Sequence, residues 1–171
     1  MKILGIDPSL NSTGICILEN GAVWYLATLR PPGTFTRDEK LNRLFQRLRG
    51  LADGLAADRD VAVIEGYAFG SQFQRETMGE VSGVIRLALL EAGIPCTVIA
   101  NKSWQKQLLG RVVVKDLREE LLRKRYPFPT TKTMDEVEAW ALAMARWERY
   151  TGTYIAPPSS PKKSRVKAKS Q

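Results

Sequence analysis

Histidine is absent from the 171 residues of the sequence. That absence excludes Ser-His-Asp and Cys-His catalysis, His-ligated zinc, and histidine as a general base. Cysteine is scarce: Cys16 and Cys96 are too few for a disulfide framework or a Cys-based zinc site, so a reducing cytoplasm is the expected setting. No apolar run approaches the roughly 20 residues of a membrane-spanning helix. Nor does Met1-Lys2-Ile3-Leu4-Gly5 carry the pattern of a secretory leader. Any metal must therefore be held by oxygen ligands, and any chemistry must rest on carboxylates, lysine, hydroxyls or water. The composition that remains, 44% apolar and 26% charged, is that of a globular chain able to bury one sizeable core.

The formal net charge of +8 is unevenly spread. Lys162, Lys163, Arg165, Lys167 and Lys169 give the stretch from Pro157 to Gln171 a charge of +5. Lys102 to Lys132 holds nine basic residues against Asp116, Glu119 and Glu120, or +6, which leaves −3 for the rest. A mildly acidic body with a basic face and tail suits a polyanionic partner, because each neutralised phosphate releases counterions. A solvated helix and a solubilising tail would carry the same charge. Residues 1–155 read as one folded domain and 156–171 as a basic tail, whose Pro, Ser and Lys bury too little surface to fold.

Lys2 to Asp7 reads as a short buried strand stopped by Pro8. Thr13–Glu19 and Ala22–Thr28 form a hairpin about Asn20-Gly21, two residues that tolerate positive φ. Leu41, Leu44, Phe45, Leu48, Leu51 and Leu55 recur at helical spacing, which predicts a helix from Arg37 to Ala57. Strands at Val61–Glu65 and Pro95–Ala100 bracket a helix over Glu76–Ala92 closed by Gly93, and helices at Val114–Arg125 and Met134–Arg149 follow. Cys16 and Cys96 read as small core residues of two strands. The pattern predicts an α/β fold, a five-stranded mixed sheet with an antiparallel hairpin beside parallel strands, flanked by helices. In such sheets the working site lies beyond the carboxyl ends of the parallel strands.

Two of those ends carry an acid, Asp7 and Glu65, with no adjacent Lys or Arg. On neighbouring strands about 5 Å apart, their carboxylates would stand side by side. Like charges so placed raise one pKa or bind a cation, and a divalent ion resolves both charges at once. Each acid could instead merely cap a following loop. In the last helix Thr133 and Glu136 fit a capping box, and Asp135 suits a first turn. Glu138 is the one polar residue of Val137 to Ala145, where a carboxylate is costly unless paired. Asp135 and Glu138, three apart, share a helix face. Asp7, Glu65, Asp135 and Glu138 thus form a candidate four-carboxylate cluster able to hold two Mg²⁺.

These residues bring the sequence into resemblance with the RuvC-type Holliday junction resolvases of the ribonuclease H-like superfamily. Gly5-Ile6-Asp7-Pro8-Ser9-Leu10-Asn11-Ser12-Thr13-Gly14 is similar to the family's opening motif, with its first metal-binding acid at Asp7, and Val63-Ile64-Glu65 to the second. Met78-Gly79-Glu80-Val81-Ser82-Gly83-Val84 resembles its Gly-x-x-x-Gly helix, and Asp135 to Ala143 its closing acidic motif. Ser9 stands where glycine is usual and Glu138 where aspartate is commoner.

The resemblance implies a homodimer packed through the Glu76–Ala92 helix and a catalytic lysine at Lys115 near the scissile phosphate. It also implies an aromatic wedge among Tyr67, Phe69 and Phe73. DNA-backbone contacts would come from Lys102, Lys106, Arg111, Lys115, Arg118, Arg123, Lys124 and Arg125. The activity it implies is Mg²⁺-dependent hydrolysis, with two ions per site and Mn²⁺ able to substitute. Paired symmetric nicks in four-way junctions would leave 5′-phosphate and 3′-hydroxyl ends, in recombination and repair. Two rivals keep the same fold: a ribonuclease H-like nuclease of other branched or hybrid substrates, and a catalytically idle junction-binding module. An actin-like ATPase would need a second Asp-x-Gly loop and about twice the length.

Overall fold

The computed structural model describes residues 1–66 and 72–153, with the side chains of 72–74 left out. Tyr67, Phe69, the side chain of Phe73 and the 156–171 tail therefore lie outside the described residues. The element order is β1 (Lys2–Asp7), β2 (Thr13–Glu19), β3 (Ala22–Leu29), α1 (Arg37–Ala52), β4 (Val61–Gly66), α2 (Gln72–Glu91), β5 (Cys96–Ala100), α3 (Asn101–Leu109), α4 (Lys115–Arg125) and α5 (Met134–Thr151). Five strands form one sheet in the order β3-β2-β1-β4-β5. β1, β4 and β5 are parallel, and the β2–β3 hairpin is antiparallel at the β1 edge. The expected mixed sheet is thus the observed one.

Alternation along the strands divides the core. Ile3, Cys16, Leu18, Val61 and Val63 face one side, packed against α5 and against Trp104, Leu108 and Leu122 of α3 and α4. Leu4, Ile6, Ile15, Ile17, Ala62 and Ile64 face the other, against Leu44 and Leu48 of α1 and Val81, Ile85 and Leu89 of α2. Each Val, Leu or Ile among them contributes about 1.5–3 kcal/mol when fully buried. Two-residue periodicity then settles where the acids point: Asp7 shares parity with Ile3 and Gly5, and Glu65 with Val61 and Val63, so both face α5. The strand register runs Ile3↔Val61 to Ile6↔Ile64, and the next positions along are Asp7 and Glu65.

Three expectations are corrected. α1 stops at Ala52 rather than Ala57, because buried Asp60 accepts hydrogen bonds from the amides of Lys2 (2.6 Å) and Ala56 (2.8 Å) and draws the following residues into turns. α2 starts at Gln72 rather than Glu76. α3 is an unforeseen helix that begins directly on β5, with no Gly or Pro between them. Cys16 is buried as expected, whereas Cys96, at the start of the edge strand, is only half-buried. Among the described residues no helix is long and apolar enough to cross a membrane.

Candidate active site

Glycine brings α5 onto the sheet. A Cβ on Gly5 would fall on the Ala139 carbonyl oxygen and 2.9 Å from Ala143 Cβ, and one on Gly14 would fall on the Asp135 carbonyl. Gly14 pairs with Asp7 across β1 and β2, so the contact sets the first turn of α5 beside the first acid. The helix starts where Thr133 accepts a hydrogen bond from the Glu136 amide (3.2 Å). The expected reciprocal half of the capping box is displaced by one residue. Buried Glu136 accepts instead from the Lys132 amide (2.7 Å) and from the Thr28 hydroxyl (3.3 Å).

Asp7, Glu65 and Glu138 converge: each presents a carboxylate oxygen, and the three oxygens lie within 4.8 Å of one another. Asp7 is 8% exposed and Glu138 4%. Burial pushes Asp7 up from its ordinary 3.8 to about 9, reinforced by the charges of Glu65, Glu138 and Asp135. In the metal-free protein Asp7 is therefore protonated, with Glu138 and Glu65 as hydrogen-bond partners. Burial raises Glu65 as well, opposed by hydrogen bonds from Trp104 Nε1 (3.1 Å) and Asn101 Nδ2 that favour its anion. Three acids forced together at that electrostatic cost, with no cation against Asp7 or Glu65 among the described residues, suit an all-oxygen divalent site. The donor set fits Mg²⁺ chemistry.

Of the four expected carboxylates, three meet and the fourth lies apart. Asp135 lies outside the three-acid cluster: its Oδ2 accepts the Ser12 hydroxyl, and it acts on Asp7 through its charge. Glu138, costly in its apolar block without a partner, has one. It is ion-paired to Arg118, whose side chain is only 14% exposed, and lies 3.8 Å from the half-exposed Lys115 ammonium. Arg118, expected to grip DNA, is part of this buried network. Its Nη2 donates to Asn101 Oδ1 (3.4 Å), its guanidinium lies 5.6 Å from the Trp104 ring centre, and its Nε has no hydrogen-bond partner.

Asn101, Trp104 and Gln105 are site residues the sequence reading missed. Asn101 bridges Glu65, Arg118 and Gln105, and Gln105 accepts from the Val113 amide (2.8 Å), tying α3 to the loop that leads to Lys115. Their signal was weak, a polar Asn-x-x-Trp-Gln run with no break before it. The remaining basic residues divide in two. Arg123 and Lys124 pair with Glu119 and Glu120, and Arg125 donates to the Leu108 carbonyl (2.5 Å). Lys102, Lys106 and Arg111 are exposed and make no ion pair among the described residues.

The RuvC crossover junction endodeoxyribonuclease of Chloroflexus aggregans is 31% identical to this chain over 157 residues, covering 88% of the chain and 94% of the relative. That of Azorhizobium caulinodans is 30% identical over 152 residues, covering 84% and 88%. The chain belongs to the RuvC family. The family is one of enzymes, its members being named as endodeoxyribonucleases, which hydrolyse phosphodiester bonds in DNA. Thermus thermophilus RuvC in complex with a Holliday junction substrate shares the ribonuclease H-like fold at a TM-score of 0.76 and 18% identity, over 92% of this chain and 99% of that one. A second Thermus thermophilus RuvC structure gives 0.72 and 17%, over 92% and 100%. No protein-family model matches the chain.

Proposed function

We propose that the chain is a Holliday junction resolvase that nicks four-way DNA junctions in a symmetric pair, leaving 5′-phosphate and 3′-hydroxyl ends, in recombination and repair. The observation that carries this reading is the convergence of Asp7, Glu65 and Glu138 on one pocket, in a chain whose curated relatives are crossover junction endodeoxyribonucleases. Asp7, Glu65 and Glu138 would hold Mg²⁺ directly, and Asp135, one turn before Glu138, would complete a second position. Bound divalent ions supply Lewis-acid activation of water and stabilisation of the leaving oxygen. Hydrogen bonds from Asn101 and Trp104 favour the ligating anion of Glu65 against its burial, and the ion pair with Arg118 would aim Glu138 at the pocket. Lys115, at the mouth of the site, would meet the scissile phosphate, while Lys102, Lys106 and Arg111 would hold the flanking backbone.

A homodimer supports paired cutting, because a four-way junction has two-fold symmetry. Its proposed interface is α2, where Gly79 and Gly83 have open space at their Cβ positions and Leu87 and Leu90 are 48% and 75% exposed. Tyr67, Phe69 and Phe73 remain the choices for a wedge at the junction centre, and the cytoplasm the proposed location.

A labelled four-way junction, a flap and an RNA–DNA hybrid, each offered with Mg²⁺ and with EDTA, test the reading. Metal-dependent paired nicks confined to the junction support it. Preferential cutting of the flap or hybrid would move the chain to the rival nuclease class, and junction binding without any nick to the idle binding module.

A further inference from the structure

We infer that the cavity between the β1–β2 loop, the end of β3 and α1 is a second phosphate site, which holds the DNA backbone a few nucleotides from the carboxylates. This rests on the nuclease reading and extends it. The cavity has a volume of about 390 Å³, and its lining includes Arg30, Lys40, Arg43 and Arg47 but no acid. Lys40, Arg43 and Arg47 follow one another at i, i+3 and i+7 and so share one face of α1. The acids of the same helix are engaged elsewhere or absent from the lining: Glu39 closes the capping box on Thr36, and Asp38 does not border the cavity.

None of the four cations makes an ion pair among the described residues. Their hydrogen bonds go to neutral acceptors: Arg30 to Ser12 Oγ (3.4 Å), Lys40 to Asn11 Oδ1 (2.9 Å) and Arg47 to Tyr25 Oη (3.2 Å). Four like charges around one cavity repel one another, and an anion is what removes that repulsion. In a body whose remaining charge is negative, a local excess of this kind marks a partner rather than a solvated face.

Position identifies the anion. Ser9, on the cavity wall, is two residues from Asp7, so its Cα lies within about 7 Å of the first acid's. Ser12 links the two sites, accepting from Arg30 on the cavity side and donating to Asp135 on the other. A DNA strand carries one charge per roughly 3.4 Å of its axis, so a strand seated at the carboxylates would carry further phosphates past Ser9 toward the cations. Leu10 and Leu44 add apolar surface to the lining and Ser9 a hydroxyl, while the Thr13 hydroxyl is spent on the Ser9 carbonyl (2.6 Å) and braces the loop; such a lining suits a sugar-phosphate rather than a base edge.

The test is junction binding against salt concentration, in EDTA, for the full chain, R43Q/R47Q and R43K/R47K. Both positions are exposed on α1. The Gln pair is expected to bind about tenfold more weakly at physiological salt, with a log–log salt slope smaller by about 2, and the Lys pair to keep the slope. An unchanged slope in the Gln pair, or an equal loss in the Lys pair, would overturn the site. A junction whose linkages beside the cut are neutral methylphosphonates should weaken the full chain as much as R43Q/R47Q does, and leave R43Q/R47Q indifferent; additive losses contradict the site. If the full chain cuts the junction while the slope is unmoved, only the second site falls. If it never cuts but the slope moves, the nuclease reading falls and the phosphate site stands.

Discussion

The Gly5 Cα lies so close to the Ala139 carbonyl oxygen that no side chain fits between β1 and α5. That contact brings the carboxylates of the two elements, Asp7 and Glu138, within 4.8 Å of each other. Gly5→Ala should therefore act on the site through the backbone. We expect a loss of about 1–3 kcal/mol in stability, and a loss of cleavage larger than the stability change explains. Thermal melts beside single-turnover cleavage check both. Wild-type cleavage in G5A would mean that the close approach does not position the acids.

The metal-free protein should weaken as pH rises. The Asp7 pKa goes from its ordinary 3.8 to about 9 on folding. Below about pH 4 both states hold the proton; between there and about pH 9 only the folded state does, and the stability this proton contributes is lost across that window. Glu65, also raised, acts in the same sense. D7N should flatten the profile and, at neutral pH in EDTA, melt a few degrees above wild type. A melting temperature that rises with pH across the window would contradict the buried-acid cluster.

Arg118→Ala strands Glu138 as a buried, nearly unpaired charge, since Lys115 lies 3.8 Å away and half in solvent. The expected cost is about 3–5 kcal/mol in EDTA, partly restored by millimolar Mg²⁺. An R118A variant as stable as wild type, with no response to Mg²⁺, would remove Arg118 from the site.

Trp104→Phe deletes the Nε1 donor to Glu65. Losing a hydrogen bond to the anion should raise Glu65 further, so the acid limb of the cleavage profile should move to higher pH. Rates across a pH series measured well below saturation read this directly, and an unmoved limb would give Trp104 a packing role alone.

Asp7 and Glu65 were legible because each ends a short buried run, and strand parity alone sends both to one face. The sheet followed from the same runs with the Asn20-Gly21 turn. The Glu138–Arg118 pair was not legible, since nothing local in α4 or α5 reveals which cation crosses between them. Asn101, Trp104 and Gln105 were hidden because α3 continues from β5 with no punctuating residue. Asp135 was placed in the cluster by its spacing from Glu138, but spacing on a helix face does not say that Ser12 of the β1–β2 loop will take its carboxylate. The cations of the second cavity come from the residue after β3 and from α1, separated in sequence by Asp38 and Glu39, so no run of charge announced them.

Incubation of a synthetic four-way junction with the full chain and with D7N, in Mg²⁺ and in EDTA, tests most directly whether these acids hold divalent ions beside a bound strand. Paired nicks from wild type in Mg²⁺ alone, with D7N binding the junction but leaving it intact, are expected. Cleavage retained by D7N, or by wild type in EDTA, would contradict it.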